Sequence, residues 1–356
     1  MRLLLGRLIS AAALCVAAVP GLSPQPARAA GPTGQIVLMG YSGVVKDNYT
    51  AAVVAPFMKK YPGITVIYDA AGSSAQMLGM LRAQRAHPQV DVDIMDFSVS
   101  RVANKEGLFS PLDPKVVTNL ADIYPQAQMG GDMGPGIDFD SLVLIYNPTA
   151  MKVPPTGIKD LLDPANKGEV VFSPAPNVIG IALQLVVSKY LGLNYKGLQT
   201  QQIATLQAIA RNVQTWNPMP DEYAMVINGD ANLAVAWNAR TQTYIDKAGG
   251  KLASVVMKSG SILDIDTINL VAHTPHPAAA QLFINYALAP GPQERYAKLM
   301  YYGPTNEHAV LPPAIMARTS SYPPSLSKML PIDWNYVASV QDQWTRMWQR
   351  EVIPTH

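Results

Sequence analysis

Between residues 35 and 107 the chain changes three times from the period of a strand to the period of a helix, and few folds accommodate that alternation. Residues 35–39 read as a buried strand broken by Gly40-Tyr41-Ser42-Gly43. Tyr49, Val53 and Phe57 then recur four apart over 48–60, and Pro62-Gly63 ends that helix. A second strand over 64–68 leads through Gly72-Ser73-Ser74 to a helix with Met77, Leu78 and Leu81 on one face. A third strand over 90–95 precedes a helix over 98–106 that closes on Gly107. Such a pattern predicts an α/β fold with a largely parallel sheet. Ligands of open α/β sheets sit outside the carboxyl ends of the strands. That rule gathers Tyr41, Ser42, Gly72, Ser73, Asp96 and Ser98 along one edge.

The pattern resumes further on. Strands are expected over 142–146, 170–172, 231–237, 251–257 and 264–272, and helices over 158–162, 179–191, 200–211 and 335–351. Another helix has Pro277 in its first turn and Leu282, Phe283 and Tyr286 facing inward. The 30 prolines fall in connections and at helix starts, where they stiffen loops.

The first 29 residues read as a separate export signal. Arg2 and Arg7 precede an apolar run over 8–19, and Ala27-Arg28-Ala29 fits signal-peptidase cleavage. Leu14 before Cys15 fits a lipoprotein site poorly. Removing this segment takes three arginines from the 27 basic residues, leaving 24 against 25 acids, and takes the one cysteine as well. A near-neutral chain has no global field for nucleic acid or an anionic membrane. No later stretch reaches the roughly 18 apolar residues of a membrane helix. The reading is a soluble exported protein of two lobes.

Catalytic templates find no purchase. There is no G-x-S-x-G elbow, phosphate loop or dinucleotide fingerprint, so no cofactor is expected. Ser325-Leu326-Ser327-Lys328 matches S-x-x-K in a Pro-rich loop without the partner motifs. The histidines lack metal-ligand spacing, and no cysteine remains for a soft metal. An enzyme is therefore not expected, although paired carboxylates leave an exported hydrolase open.

One block is Tyr41-Ser42-Gly43 with Phe57-Met58-Lys59-Lys60-Tyr61-Pro62-Gly63-Ile64, and the next is Asp91-Val92-Asp93-Ile94 with Lys105-Glu106-Gly107-Leu108 and Pro111-Leu112-Asp113. Tyr146-Asn147 with Asp160-Leu161-Leu162-Asp163-Pro164 and Lys167-Gly168 follow, and Tyr302-Gly303-Pro304-Thr305-Asn306 comes last. In order and spacing these blocks resemble bacterial extracellular solute-binding proteins of ABC importers, in the group with spermidine/putrescine-binding and ferric-iron-binding members. The resemblance implies a type-2 periplasmic binding protein, two α/β lobes joined by hinge strands near 140–144 and 264–269. Lobe 1 would comprise 30–141 and 266–315, and lobe 2 would comprise 142–265 and 316–356 with the C-terminal helix. It also implies a periplasmic monomer that closes on a small molecule and delivers it to an inner-membrane ABC permease; a sensor subunit is the alternative use of the same fold.

The ligand follows residue by residue from the same resemblance. Trp237 and Asp266 match a cleft tryptophan and aspartate of the polyamine-binding relatives, Asp96 and Ser98 fall where they carry a serine and a tyrosine, and Tyr41 and Asn335 match more weakly. Departures matter too. Asp264 stands where those relatives show a tryptophan, and an acidic partner is replaced by Pro174-Ala175-Pro176-Asn177. Arg240 would repel a diamine and hold a carboxylate. Ser73 opens a helix whose amides suit an anion, while the paired tyrosines of the ferric members find no match. The resulting expectation is a small amine-bearing, polyamine-like solute. An amino-carboxylate, a phosphonate-like anion and a ferric complex remain as alternatives.

Overall fold

In a computed structural model, which describes residues 32–355 apart from 129, 131–132 and 322–326, the early alternation becomes three parallel strands. These are β1 (Gly34–Tyr41), β2 (Ile64–Ala71) and β3 (Val92–Asp96), with Tyr41 in register with Ala71. Two eleven-residue antiparallel strands follow, β4 (Gly136–Tyr146) and, much later, β8 (Ser261–Val271). Between them in sequence lie β5 (Val170–Val171), β6 (Val213–Thr215) and β7 (Leu233–Trp237), a second parallel set. The path through the sheet is β2-β1-β3-β8-β4-β7-β5-β6. The expected signal segment with Cys15 lies outside the described residues, as does part of the S-x-x-K tetrapeptide.

The long strands change partners midway. β4 pairs with β8 through Ser141 and with β7 from Leu142 onward, while β8 pairs with β4 up to Thr267 and, along its other edge, with β3 from Asp266 onward. Because β3 and β7 run in opposite directions, their carboxyl ends converge on this crossing from opposite sides. Two α/β lobes thus meet at β4 and β8.

Each strand set is covered on both faces, which is why its sequence reads as nearly continuous apolar runs. Leu142 and Leu144 of β4 join one core with Trp344 and Trp348, whereas Val143 and Ile145 join another with Tyr223. Ile36, Leu38, Val92 and Ile94 pack with Phe283, while Met39, Met77 and Met95 form a cluster of their own. Helix α1 (Ser74–Ala83) follows β2, α2 (Phe97–Lys105) follows β3, and α3 (Val178–Tyr190) follows β5. Gly107 and Gly192, at φ 69°, take the left-handed turn after α2 and α3 that a side chain would resist.

Some helices escape the hydrophobic period. The helix expected over 48–60 starts earlier, at Val44, and passes through a π turn at Thr50–Val54. Helix α4 (Asn238–Ile245) buries Asn238, Thr241 and Thr243 beside Ala239, so its inward face carries no apolar signal. Pro290–Met300 begins with prolines, tolerated in a first turn whose amides have no helical partner. The C-terminal helix, α5 (Trp334–Met347), buries Val337 and Trp344 against the core around Leu142.

Candidate functional site

The crossing of β4 and β8 forms the floor of a cleft of about 610 Å³. Strand ends reach it from both sides: Tyr41 closes β1, Asp96 closes β3, Trp237 closes β7, and residues 173–177 connect β5 to α3. The floor carries acids at every second position. Asp140, Asp264 and Asp266 line the cleft, and Phe139, Leu263 and Ile265 alternate with them and pack into the core. Asp264 stands opposite Asp140, and Asp266 stands opposite Asp138 on one side and Asp96 on the other.

Local hydrogen bonding fixes these groups. The Tyr41 hydroxyl donates to Asp266 Oδ1 at 2.9 Å and lies 2.7 Å from Ser74 Oγ. Ser74 Oγ in turn accepts from the Asp96 amide at 3.1 Å. Asp96 caps α2, accepting from the Ser98 amide at 2.8 Å and from the Ser98 hydroxyl. Ser73 caps α1 through the Gln76 amide at 3.2 Å. On the far wall, Asn177 caps α3 through the Ile179 amide at 2.9 Å, which leaves that helix start facing the cleft. A Cβ at Gly180 would fall 2.2 Å from the Ala175 nitrogen, so only glycine lets residues 174–177 lie this close to α3.

Electrostatically the site is crowded with acid. Burial and the neighbouring Asp96 push Asp266 up to about 7, against the lowering effect of its Tyr41 bond. Burial also raises Asp140 to about 7, although the Ala239 and Ser141 amides donate to it at 2.9 and 2.7 Å. Asp264 is raised by burial and by Asp96 and Asp266, and Glu222 by burial. Burial and Asp266 raise Tyr41 as well, so its phenol stays a donor. Among these acids sits one cation, Arg240. Burial alone would lower its pKa, but Tyr223, Tyr302 and Glu222 outweigh that and raise it. Its guanidinium lies 5.9 Å from the Tyr223 ring centroid and makes no ion pair or hydrogen bond with any described residue.

Of the ten residues singled out by sequence, Tyr41, Ser73, Asp96, Trp237, Arg240, Asp264 and Asp266 come together in this cleft. Trp237 does double duty, lining the cleft and packing against the core around Leu142. The other three do not line it. Ser42 is exposed beyond the end of β1, Ser98 is buried on the Asp96 carboxylate, and Asn335 is exposed on α5 beside two neighbouring grooves. Sequence reasoning missed Ser74, Asp140, Glu222, Tyr302 and Gln341, all of which line the cleft. Asp140 had a visible signal, because Ile137-Asp138-Phe139-Asp140 repeats the alternation of Leu263-Asp264-Ile265-Asp266. Among the described residues no group of His, Cys, Asp or Glu has the geometry to hold a metal ion.

Comparison with known proteins agrees with this architecture. Residues 52–323 match the family described as bacterial extracellular solute-binding protein. The gamma-aminobutyric acid-binding protein of Pseudomonas aeruginosa is 25% identical over 316 residues, which is 84% of this chain and 85% of that protein. The thiamine-binding periplasmic protein of Escherichia coli is 20% identical over 279 residues, 78% of this chain and 80% of that one. Among solved structures, an ABC transporter protein from Clostridium perfringens superposes with a TM-score of 0.71 at 25% identity, covering 89% of this chain and 99% of that one. A periplasmic binding protein of A. tumefacien R10, solved with agropinic acid, gives 0.74 at 22% identity, covering 90% of this chain and 98% of that one. The chain belongs to the bacterial extracellular solute-binding protein family.

Proposed function

We propose that this extracellular solute-binding protein captures a small amino-carboxylate of the ω-amino acid type and presents it to an ABC permease in the inner membrane. The ammonium end rests among Asp96, Asp264 and Asp266, with Tyr41 and Trp237 against the chain between the charges. The carboxylate end rests on Arg240 and the amides at the start of α3. Arg240 carries this reading. A guanidinium that makes no ion pair or hydrogen bond with any described residue and faces a cleft suits a carboxylate in two-point contact. The P. aeruginosa relative, named for gamma-aminobutyric acid, lends support.

A diamine or polyamine is the second reading, favoured by the excess of acid: five carboxyl groups line the cleft against one cation. Both readings share the aspartate cluster and differ at Arg240. The lobes are assigned as 30–141 with 266–315 and 142–265 with 316–356, and closure around the solute is a population shift toward the state in which both lobes touch it. Residues 1–29 are assigned as the cleaved export signal, which would place the working protein in the periplasm, where we take it to act as a monomer.

Calorimetry on refolded, solute-free protein tests the reading. Binding of γ-aminobutyrate with weaker or absent putrescine binding is expected. Tighter binding of putrescine would transfer the assignment to the second reading, and silence from both would remove the amine altogether.

A further inference from the structure

We infer that Gln341, carried by the C-terminal helix, touches the bound solute and helps choose it. The inference rests on the reading of this cleft as the site of an amine-bearing solute, whether amino-carboxylate or diamine. The strand ends and the α3 segment supply most of the cleft wall, but one side chain comes from α5. Gln341 lines both the cleft and the adjoining groove of about 940 Å³ between α1, α2 and α5. It therefore stands where the two spaces join.

Its mount is stiff. Val337, Trp344 and Trp348 are fully buried around it in sequence, and the Trp348 indole donates to Gln184 of α3 at 2.9 Å. At the other end of the helix, Trp334 packs edge-on against Phe97, the residue after Asp96, at 6.3 Å between ring centroids. The helix is thus held against α3 on one side and α2 on the other, two of the helices whose N-termini flank the cleft.

The side chain itself is unspent. Gln341 is half-buried, and its amide makes no hydrogen bond with any described residue. A primary amide offers two donors and one acceptor, so it can meet either a carboxylate or an ammonium. A purely structural role does not account for this, because no described residue uses the group. Position on the helix is also selective. Asn335, six residues earlier, is turned by about 120° around the axis and lines the grooves only.

The amide is neutral in an acidic cleft, and that sets the specificity test. Gln341→Leu removes the polar group at similar size, and Gln341→Glu adds a further acid. With γ-aminobutyrate and putrescine as titrants, Gln341→Leu is expected to weaken binding of whichever solute the wild type prefers by about five- to tenfold. Gln341→Glu is expected to move the ratio of the two dissociation constants toward putrescine by about tenfold or more. Asn335→Ala should match the wild type, and all three variants should keep the melting temperature of the solute-free protein. Unchanged affinities and ratio in both Gln341 variants, with Asp266→Asn losing binding, would overturn this inference and leave the cleft assignment standing. Loss with Gln341→Leu alongside a preference for putrescine would support it while overturning the amino-carboxylate reading. A wild type that binds neither solute would overturn both.

Discussion

Replacing Asp266 by asparagine is expected to stabilise the solute-free protein while destroying its hold on an amine. The Asp266 carboxyl is buried between Asp96 and Asp138, and its pKa is pushed up from the usual 3.8 to about 7. Between those values the folded protein keeps a proton that the unfolded chain has released. Stability therefore falls as pH rises from about 4, and the loss is complete above about 7. About three units at ~1.36 kcal/mol each set a ceiling of about 4 kcal/mol. At pH 5 the gap has opened by only about one unit, so roughly 1.5 kcal/mol of it is in force.

Asparagine keeps an acceptor for the Tyr41 hydroxyl and brings no charge, so it removes the penalty at nearly constant shape. Melting curves of wild type and Asp266→Asn at pH 5 and pH 8 measure it. The variant should be the more stable at both, with the advantage growing by up to about 2–3 kcal/mol between them, which amounts to several degrees. In calorimetry the same variant should show no heat with an amine. A variant less stable at pH 8, or an advantage that does not grow with pH, would refute this account of the cleft acids.

Other expectations follow from the same geometry. Arg240→Gln should cost γ-aminobutyrate about 2–4 kcal/mol of binding and should strengthen putrescine binding, read by paired titrations. Asp266 must be ionised to hold an ammonium, and it lies near 7. Amine affinity should therefore drop by up to about 50-fold between pH 7 and pH 5, and a flat pH profile would contradict that. Gly180→Ala would push a methyl group to within 2.2 Å of the Ala175 nitrogen. It should destabilise the fold by about 1–3 kcal/mol and lower solute affinity, because the displaced residues 174–177 form a cleft wall.

The lobes were legible in sequence because their strands are buried on both faces and their helices carry clean apolar stripes. The pocket was legible in proportion to how much of it lies at strand ends. Tyr41, Ser73 and Asp96 follow from the carboxyl-end rule, whereas Trp237 and Asp266 came only through family resemblance. Arg240 lies on α4, a helix with a polar buried face, so its position next to the cleft had no periodic signal behind it. Glu222 and Gln341 reach the cleft through tertiary packing of helices distant in sequence, and nothing local marks them. Ser98 lies beside the cleft and does not line it, for a physical reason. It is the residue that an N-capping aspartate turns toward itself, so its hydroxyl is consumed by Asp96.

The paired D-x-D strands also bear on how the cleft closes. Like charges directly across a strand pair destabilise it, and here Asp140 faces Asp264 while Asp138 faces Asp266. Asp96 adds a third carboxyl from the β3 side. On the proposed reading a solute ammonium would supply the missing positive charge, so closure would be favoured in proportion to the repulsion it relieves. Protons can do the same work without any solute. Acid should therefore shift the solute-free protein toward the closed state, with a radius of gyration at pH 5 that approaches the solute-bound value at pH 8. Asp266→Asn should move part of the way at pH 8, having one charge fewer to neutralise. Small-angle scattering across this range decides the matter, because a solute-free radius that is the same at pH 5 and pH 8 would mean that contacts other than charge relief drive closure.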